Sequence, residues 1–224
     1  MQEHHLTVER TARYHTLGDA ATAKELWIVI HGYGHLARYF LRGFEGVHEG
    51  RYIVAPEALS RFYTGTDFTR VGASWMTRED REHEILDQHH YLNALKSHLL
   101  QAAPLIEHLG VLGFSQGVAT AARWLHHGRS KVDQLVIWSG SMPPEFDRAQ
   151  LKRQWDGLRI DLVHGEEDEL VGIAKLNGNE ALLRASGLPF RTHRFPGGHV
   201  LDSVTLERVL EGARTTSGSI DRDK

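Results

Sequence analysis

The chain has 224 residues, 41% of them hydrophobic and 25% charged, the make-up of an ordinary soluble globular protein with one large domain. Lys and Arg number 26 against 29 Asp and Glu, a formal net charge of -3 that argues against nucleic acid as the main partner. There is no cysteine, which excludes disulfides, thiol nucleophiles and Cys-based zinc sites and fits a reducing compartment.

Met1-Gln2-Glu3-His4-His5 shows no basic region followed by an apolar run, so no signal peptide is expected. No stretch approaches the ~18 apolar residues of a membrane span, and a cytoplasmic protein is the expectation. The 16 histidines raise the question of metal. The pairs His4-His5, His89-His90 and His126-His127 are adjacent, however, and adjacent helical residues point about 100° apart. No H-E-x-x-H occurs, so no metal site is expected.

Leu6 to Leu17 alternates moderately and reads as an edge strand or hairpin. Leu26-Trp27-Ile28-Val29-Ile30 is a continuous apolar run suited to a strand buried on both faces. Tyr52 to Ala55 is a second strand, stopped by Pro56. Arg78 to Ala103 reads as a long helix with Ile85, Leu92, Leu95 and Leu99 on one stripe. Leu109 to Gly113 is a strand, and Gln116 to His127 a helix. Strands follow at Leu135–Trp138 and Ile160–Val163, then a helix from Glu169 to Ser186 that Asn177-Gly178-Asn179 is expected to interrupt. Phe190 to Phe195 is the last strand and Leu201 to Ala213 the last helix. The domain is expected to span 1–214, with a frayed polar tail over 215–224.

This alternation predicts an α/β fold, a mostly parallel sheet with helices on both faces. Functional loops then lie beyond the carboxyl ends of the strands. The residues there are His31 to Gly34, Pro56-Glu57, Ser115, Ser139-Gly140, Gly165 to Asp168 and Pro196 to His199.

Gly113-Phe114-Ser115-Gln116-Gly117 matches G-x-S-x-G between a strand and a small-residue helix. A tight turn there strains the serine and presents its Oγ, while the flanking glycines let strand and helix close together. Ser115 is therefore the candidate nucleophile. Its base is sought downstream. His126 and His127 lie about 15 Å away at the far end of the helix, and His193 lies inside a strand. His164 ends a strand and is read as ordering the acid loop. His199, in Gly197-Gly198-His199, is the preferred base.

The acid should accept the Nδ1–H of that imidazole. Glu166, Glu167, Asp168 and Glu169 compete, and spacing favours Asp168 modestly over Glu167. An oxyanion hole needs two backbone N–H groups, here assigned to Gln116 and to Tyr33 in the His31-Gly32-Tyr33-Gly34 loop. His31 itself is read as a packed structural ring. Aromatic and soft apolar residues near strand-end loops include Phe62, Tyr63, Trp138, Met142 and Trp155, with Trp138 read as core. Trp75, Met76 and Phe146 are the candidate pocket wall, and Ser141 to Gly157 reads as a short flap with no room for a large lid.

Together, Leu26–Gly34, Gly113–Gly117, His164–Val171 and Gly197–His199 resemble the α/β-hydrolase superfamily, and within it the small carboxylesterase/phospholipase group that includes acyl-protein thioesterases. His31-Gly32-Tyr33-Gly34 is similar to that group's H-G-x-G loop, and His164-Gly165-x-x-Asp168-x-x-Val171 to its acid loop, which strengthens Asp168. The resemblance departs at His35, where the thioesterases usually have Asp, and over Ser60 to Trp75. It implies a cofactor-free serine esterase acting on a small-molecule ester or acyl substrate: short-chain esters, lysophospholipids or thioesters. The rival readings are the same site turned on another acyl bond, and a silent hydrolase scaffold that only binds. A homodimer is compatible with the sequence.

Overall fold

The computed structural model describes residues 1–127 and 131–211. The tail expected over 215–224, and the end of the last helix beyond 211, lie outside the described residues. In chain order come β1 (Tyr14–Leu17), β2 (Glu25–Ile30), α1 (Ala37–Phe40), a 3-10 helix (Leu41–Val47), β3 (Arg51–Pro56), β4 (Ser60–Tyr63), β5 (Val71–Ser74) and α2 (Arg81–Ala102). Then follow β6 (His108–Phe114), α3 (Gln116–His127), β7 (Gln134–Trp138), α4 (Arg148–Gln154), β8 (Arg159–Gly165), α5 (Ile173–Ala185), β9 (Arg191–Phe195) and α6 (Ser203–Glu211).

Seven strands form one sheet in the order β1-β3-β2-β6-β7-β8-β9. Only β1 runs antiparallel to its neighbour, with Tyr14 opposite Pro56. The rest of the sheet is parallel. All six residues of β2 are buried because helices cover both faces. Leu26, Ile28 and Ile30 pack with α2, α3, α4 and α5 residues such as Leu92, Val118, Leu151 and Leu183. Trp27 and Val29 face the other way, toward Phe40 and Phe44 and toward Leu206 and Val209 of α6. Strand alternation thus sorts one apolar run into two cores.

Chain order reverses between β2 and β6. From β2 the sheet extends through β3 to the β1 edge, and from β6 through β7 and β8 to β9. Loops leaving adjacent strands at such a reversal diverge and open a crevice between them. The His31 loop after β2 and Ser115 after β6 border that crevice.

Several elements differ from expectation. Only Tyr14–Leu17 of the first segment pairs, and Leu6 and Val8 are exposed. Helix α5 runs unbroken through Asn177-Gly178-Asn179, since Asn179 turns inward to accept from the Met142 amide and donate to Gly140 O. The segment read as a flap holds α4, capped by Asp147 accepting from the Gln150 amide, with Phe146, Leu151 and Trp155 in the core. Among the described residues no helix is long and apolar enough to cross a membrane.

Helices α2 and α3 are joined by the Trp124 indole donating to Asn93. The same seam buries His89. His89 lies 5.4 Å from His127 between ring centres, and its Nε2 has no partner among the described residues. Burial, then the neighbouring His127, His90 and Arg123, push its pKa down to about 4. An unfolded chain titrates its histidines near about 6.5 and so takes up this proton first. Stability is therefore expected to fall as pH drops from about 6.5 toward about 4, with no further contribution from this residue below that. Denaturant unfolding across that range checks it, and His89→Leu should flatten the slope.

Candidate active site

The β6–α3 turn has no space for extra atoms. A β-carbon on Gly117 would lie 2.2 Å from Ile30 O, and one on Gly113 would lie 2.6 Å from Gly117 O. With hydrogen alone at both positions, helix α3 starts one residue after β6 ends. Ser115, between them, is forced to φ 55°, a left-handed conformation that non-glycine residues rarely hold. Its amide donates to Trp138 O on β7 at 2.9 Å, which fixes the turn to the neighbouring strand.

Across the crevice, Gly32 meets the turn. A β-carbon there would sit 3.0 Å from Ser115 Cβ. The loop is braced by His31, which is fully buried. The Ala58 amide donates to its Nε2 at 3.1 Å, and its Nδ1 lies 2.8 Å from Gly32 O. Those bonds require a proton on Nδ1 and none on Nε2. Burial drives the His31 pKa down to about 4, so the ring is neutral at pH 7. This is the structural role expected for it.

Two short strands missed in the sequence complete the brace. The β4–β5 hairpin hangs on the same loop through Gly34 N–H to Ala73 O and Ala73 N–H to His35 O. The Gln116 side chain ties this hairpin to the Ser115 turn. It accepts from the Trp75 amide at 3.0 Å and donates to Met76 O at 2.9 Å. The loop's own amides at Gly34 and His35 are engaged, while that of Tyr33 is absent from its backbone bonds. Gln116 opens α3, where helical amides lack a carbonyl one turn back. Both candidate oxyanion donors therefore lie on segments held against Ser115.

Asp168 and His199 come from loops after adjacent strands, β8 and β9. His199 Nδ1 lies 2.8 Å from Asp168 Oδ2. The other carboxylate oxygen accepts the amides of Val171 at 2.8 Å and Leu170 at 3.1 Å. Burial opposes the Asp168 charge, but the bond from His199 and the Val171 amide outweigh it, leaving the pKa below the usual carboxylate value. The imidazole rests on Phe114, 4.8 Å between ring centres, immediately before Ser115. Its loop is fastened by the buried Trp138 indole donating to Val200 O at 2.9 Å. Trp138 is core, as expected, and also a strut for this loop.

The other candidates separate. His164 is buried in β8 and carries a lowered pKa, chiefly through burial. His193 binds Asp161 at 2.8 Å. Glu57 is buried and accepts from Arg13, Arg61 and the Ala37 amide, an anchor for α1. Trp75 does not line open space: it is 2% exposed and its indole donates to His31 O at 2.9 Å, backing the loop after β2. Met76 is half-buried beside Gln116. Phe146 is a correction. Its ring stacks on His126 at 4.4 Å, eleven residues past Ser115, or about 16 Å along the helix. The polar sequence around it reflects Glu145 pairing with Arg123 and Arg81, not a solvent-facing pocket.

The Phospholipase/Carboxylesterase family matches residues 18–217. The chain belongs to that family. It is a carboxylic-ester hydrolase with the α/β-hydrolase fold. Similar solved structures include esterase PE8, at 21% identity and TM-score 0.69, covering 91% of this chain and 100% of that one. A carboxylesterase from Mesorhizobium loti follows at 18% identity and TM-score 0.72, covering 90% and 95%. Zea mays acyl-protein thioesterase 2 has 20% identity and TM-score 0.69, covering 93% and 100%. At these identities the likeness is one of fold. No curated protein matches the sequence.

The packing of this hydrolase's turn is directly testable. Gly117→Ala is expected to cost at least about 1–3 kcal/mol, because the clash is with backbone. Gly178→Ala, in α5 with open space around its β-carbon, is expected to stabilise by about 0.5–1 kcal/mol. Denaturant unfolding of the two variants checks both signs.

Proposed function

We propose that this hydrolase cleaves carboxylic esters through an acyl-enzyme on Ser115, with His199 as base and Asp168 as its partner. The observation that carries the reading is the 2.8 Å Asp168–His199 contact, its imidazole lying on the residue next to the strained serine. With Nδ1 committed to Asp168, Nε2 of His199 takes the Ser115 proton as Oγ attacks the carbonyl carbon. The Tyr33 and Gln116 amides hold the oxyanion, each such donor worth about 2.7–4 kcal/mol in the transition state. His199 returns the proton to the leaving alcohol or thiol. Water then hydrolyses the acyl-enzyme by the same route.

The substrate is a small-molecule ester or acyl compound, with short-chain esters, lysophospholipids and thioesters the classes to compare. An aromatic shelf supports an apolar acyl group: Tyr33, 60% exposed, stacks on Phe62 at 5.1 Å beside the oxyanion loop. A reducing, cytoplasmic setting fits a chain with no cysteine.

Hydrolysis of p-nitrophenyl acetate tests the assignment. Ser115→Ala is expected to lose at least about 10³-fold in kcat with circular dichroism unchanged, and Asp168→Asn about 10³–10⁴-fold, because the amide favours the wrong imidazole tautomer. A folded Ser115→Ala protein with undiminished turnover overturns the proposal. Matched oxygen esters and thioesters, compared by kcat/KM, assign the preferred bond.

A further inference from the structure

The hydrolytic site leaves His5 and His83 unused, and folding gathers both over one carboxylate. Asp80 immediately precedes helix α2, and His83 follows three residues later on its first turn. His83 Nδ1 lies 2.7 Å from Asp80 Oδ1. His5, from the N-terminal segment, places Nε2 3.3 Å from the same oxygen and 3.4 Å from Glu3 Oε1. The two rings stack with centres 4.0 Å apart. One donor atom from each of His5, Asp80 and His83 can be chosen so that all lie within 4.8 Å of one another.

We propose that His5, Asp80 and His83, with solvent completing the shell, form a surface site for a first-row transition metal ion, zinc being the best suited. The donor set is two imidazoles and a carboxylate oxygen, which favours zinc, cobalt, nickel or copper over magnesium and calcium. Zinc bonds of about 2.0–2.2 Å put tetrahedral ligands about 3.3–3.6 Å apart. The 3.3 Å His5–Asp80 separation already has that spacing. The closer His83–Asp80 pair is a hydrogen bond that opens slightly as the ion replaces the shared proton, which leaves to solvent.

Ion pairing alone accounts poorly for this convergence. Both imidazoles compete for one carboxylate oxygen, and all three groups are exposed, where such pairs contribute little. An ion satisfies the same oxygen and both nitrogens at once. It would staple His5, which belongs to no strand or helix, to the start of α2. The role is structural and separate from ester cleavage.

The test uses the full-length, metal-stripped protein and zinc chloride. Calorimetry is expected to show one ion bound per chain at micromolar affinity, weakened at least tenfold in His5→Ala and in His83→Ala. Zinc should raise the melting temperature of the parent protein but not of either variant. Metal-free ester hydrolysis should be the same in all three, which separates loss of the ion from loss of the fold. No zinc uptake, or equal uptake by the parent and both variants, overturns the proposal.

Discussion

Two positions that can carry nothing larger than hydrogen, Gly113 and Gly117, set the geometry of this molecule's working end. Because the Gly117 position packs against Ile30 O, helix α3 lies close against the strand beside it, and the chain between strand and helix is a single residue. That residue, Ser115, carries the strain, of a kind that costs on the order of 1–3 kcal/mol and persists only where surroundings over-determine it. Here the surroundings are the two apolar layers either side of β2 and β6, which fix strand and helix independently of the turn.

Around the turn, polar side chains connect loops to one another. Gln116 joins the Ser115 turn to the β4–β5 hairpin, Trp75 joins the hairpin to His31, and His31 joins the loop after β2 to Ala58. Trp138 and Asn179 hold the loops on the other side. Each is buried or partly buried with its hydrogen-bonding groups engaged, so its bonds are short of competing water and costly to leave unmade. The loops bearing Tyr33, Ser115 and His199 are thereby set by the sheet and these struts. In the proposed mechanism such preorganisation lets donors act on developing charge without reorganising first.

Much of this was legible in the sequence because it rests on local signals. Buried parallel strands leave continuous apolar runs, and Leu26–Ile30 and Leu135–Trp138 are strands in the structure. The start of α3 follows from the glycine-flanked serine and the small residues after it. The β4–β5 hairpin was not legible, since its four-residue strands depend on bonds to Gly34 and His35, distant in sequence. Asn177-Gly178-Asn179 resembles a helix break only until the tertiary partners of Asn179 are known. Phe146 misled for a related reason: charged neighbours marked an ion pair with a buried arginine, which sequence cannot distinguish from solvent exposure. Asp168 was separable from its acidic neighbours only modestly by spacing. What sets it apart is the pair of amides and the imidazole that meet at its carboxylate.

The central claim is that one hydroxyl, at position 115, is made nucleophilic by the imidazole at 199. Its most direct test is mass spectrometry of the protein after exposure to a fluorophosphonate, which phosphonylates activated serines. The account predicts a single adduct, mapped by peptide analysis to Ser115, and none in His199→Ala over the same time. An adduct on another residue, or an unmodified protein that still hydrolyses esters, would contradict it.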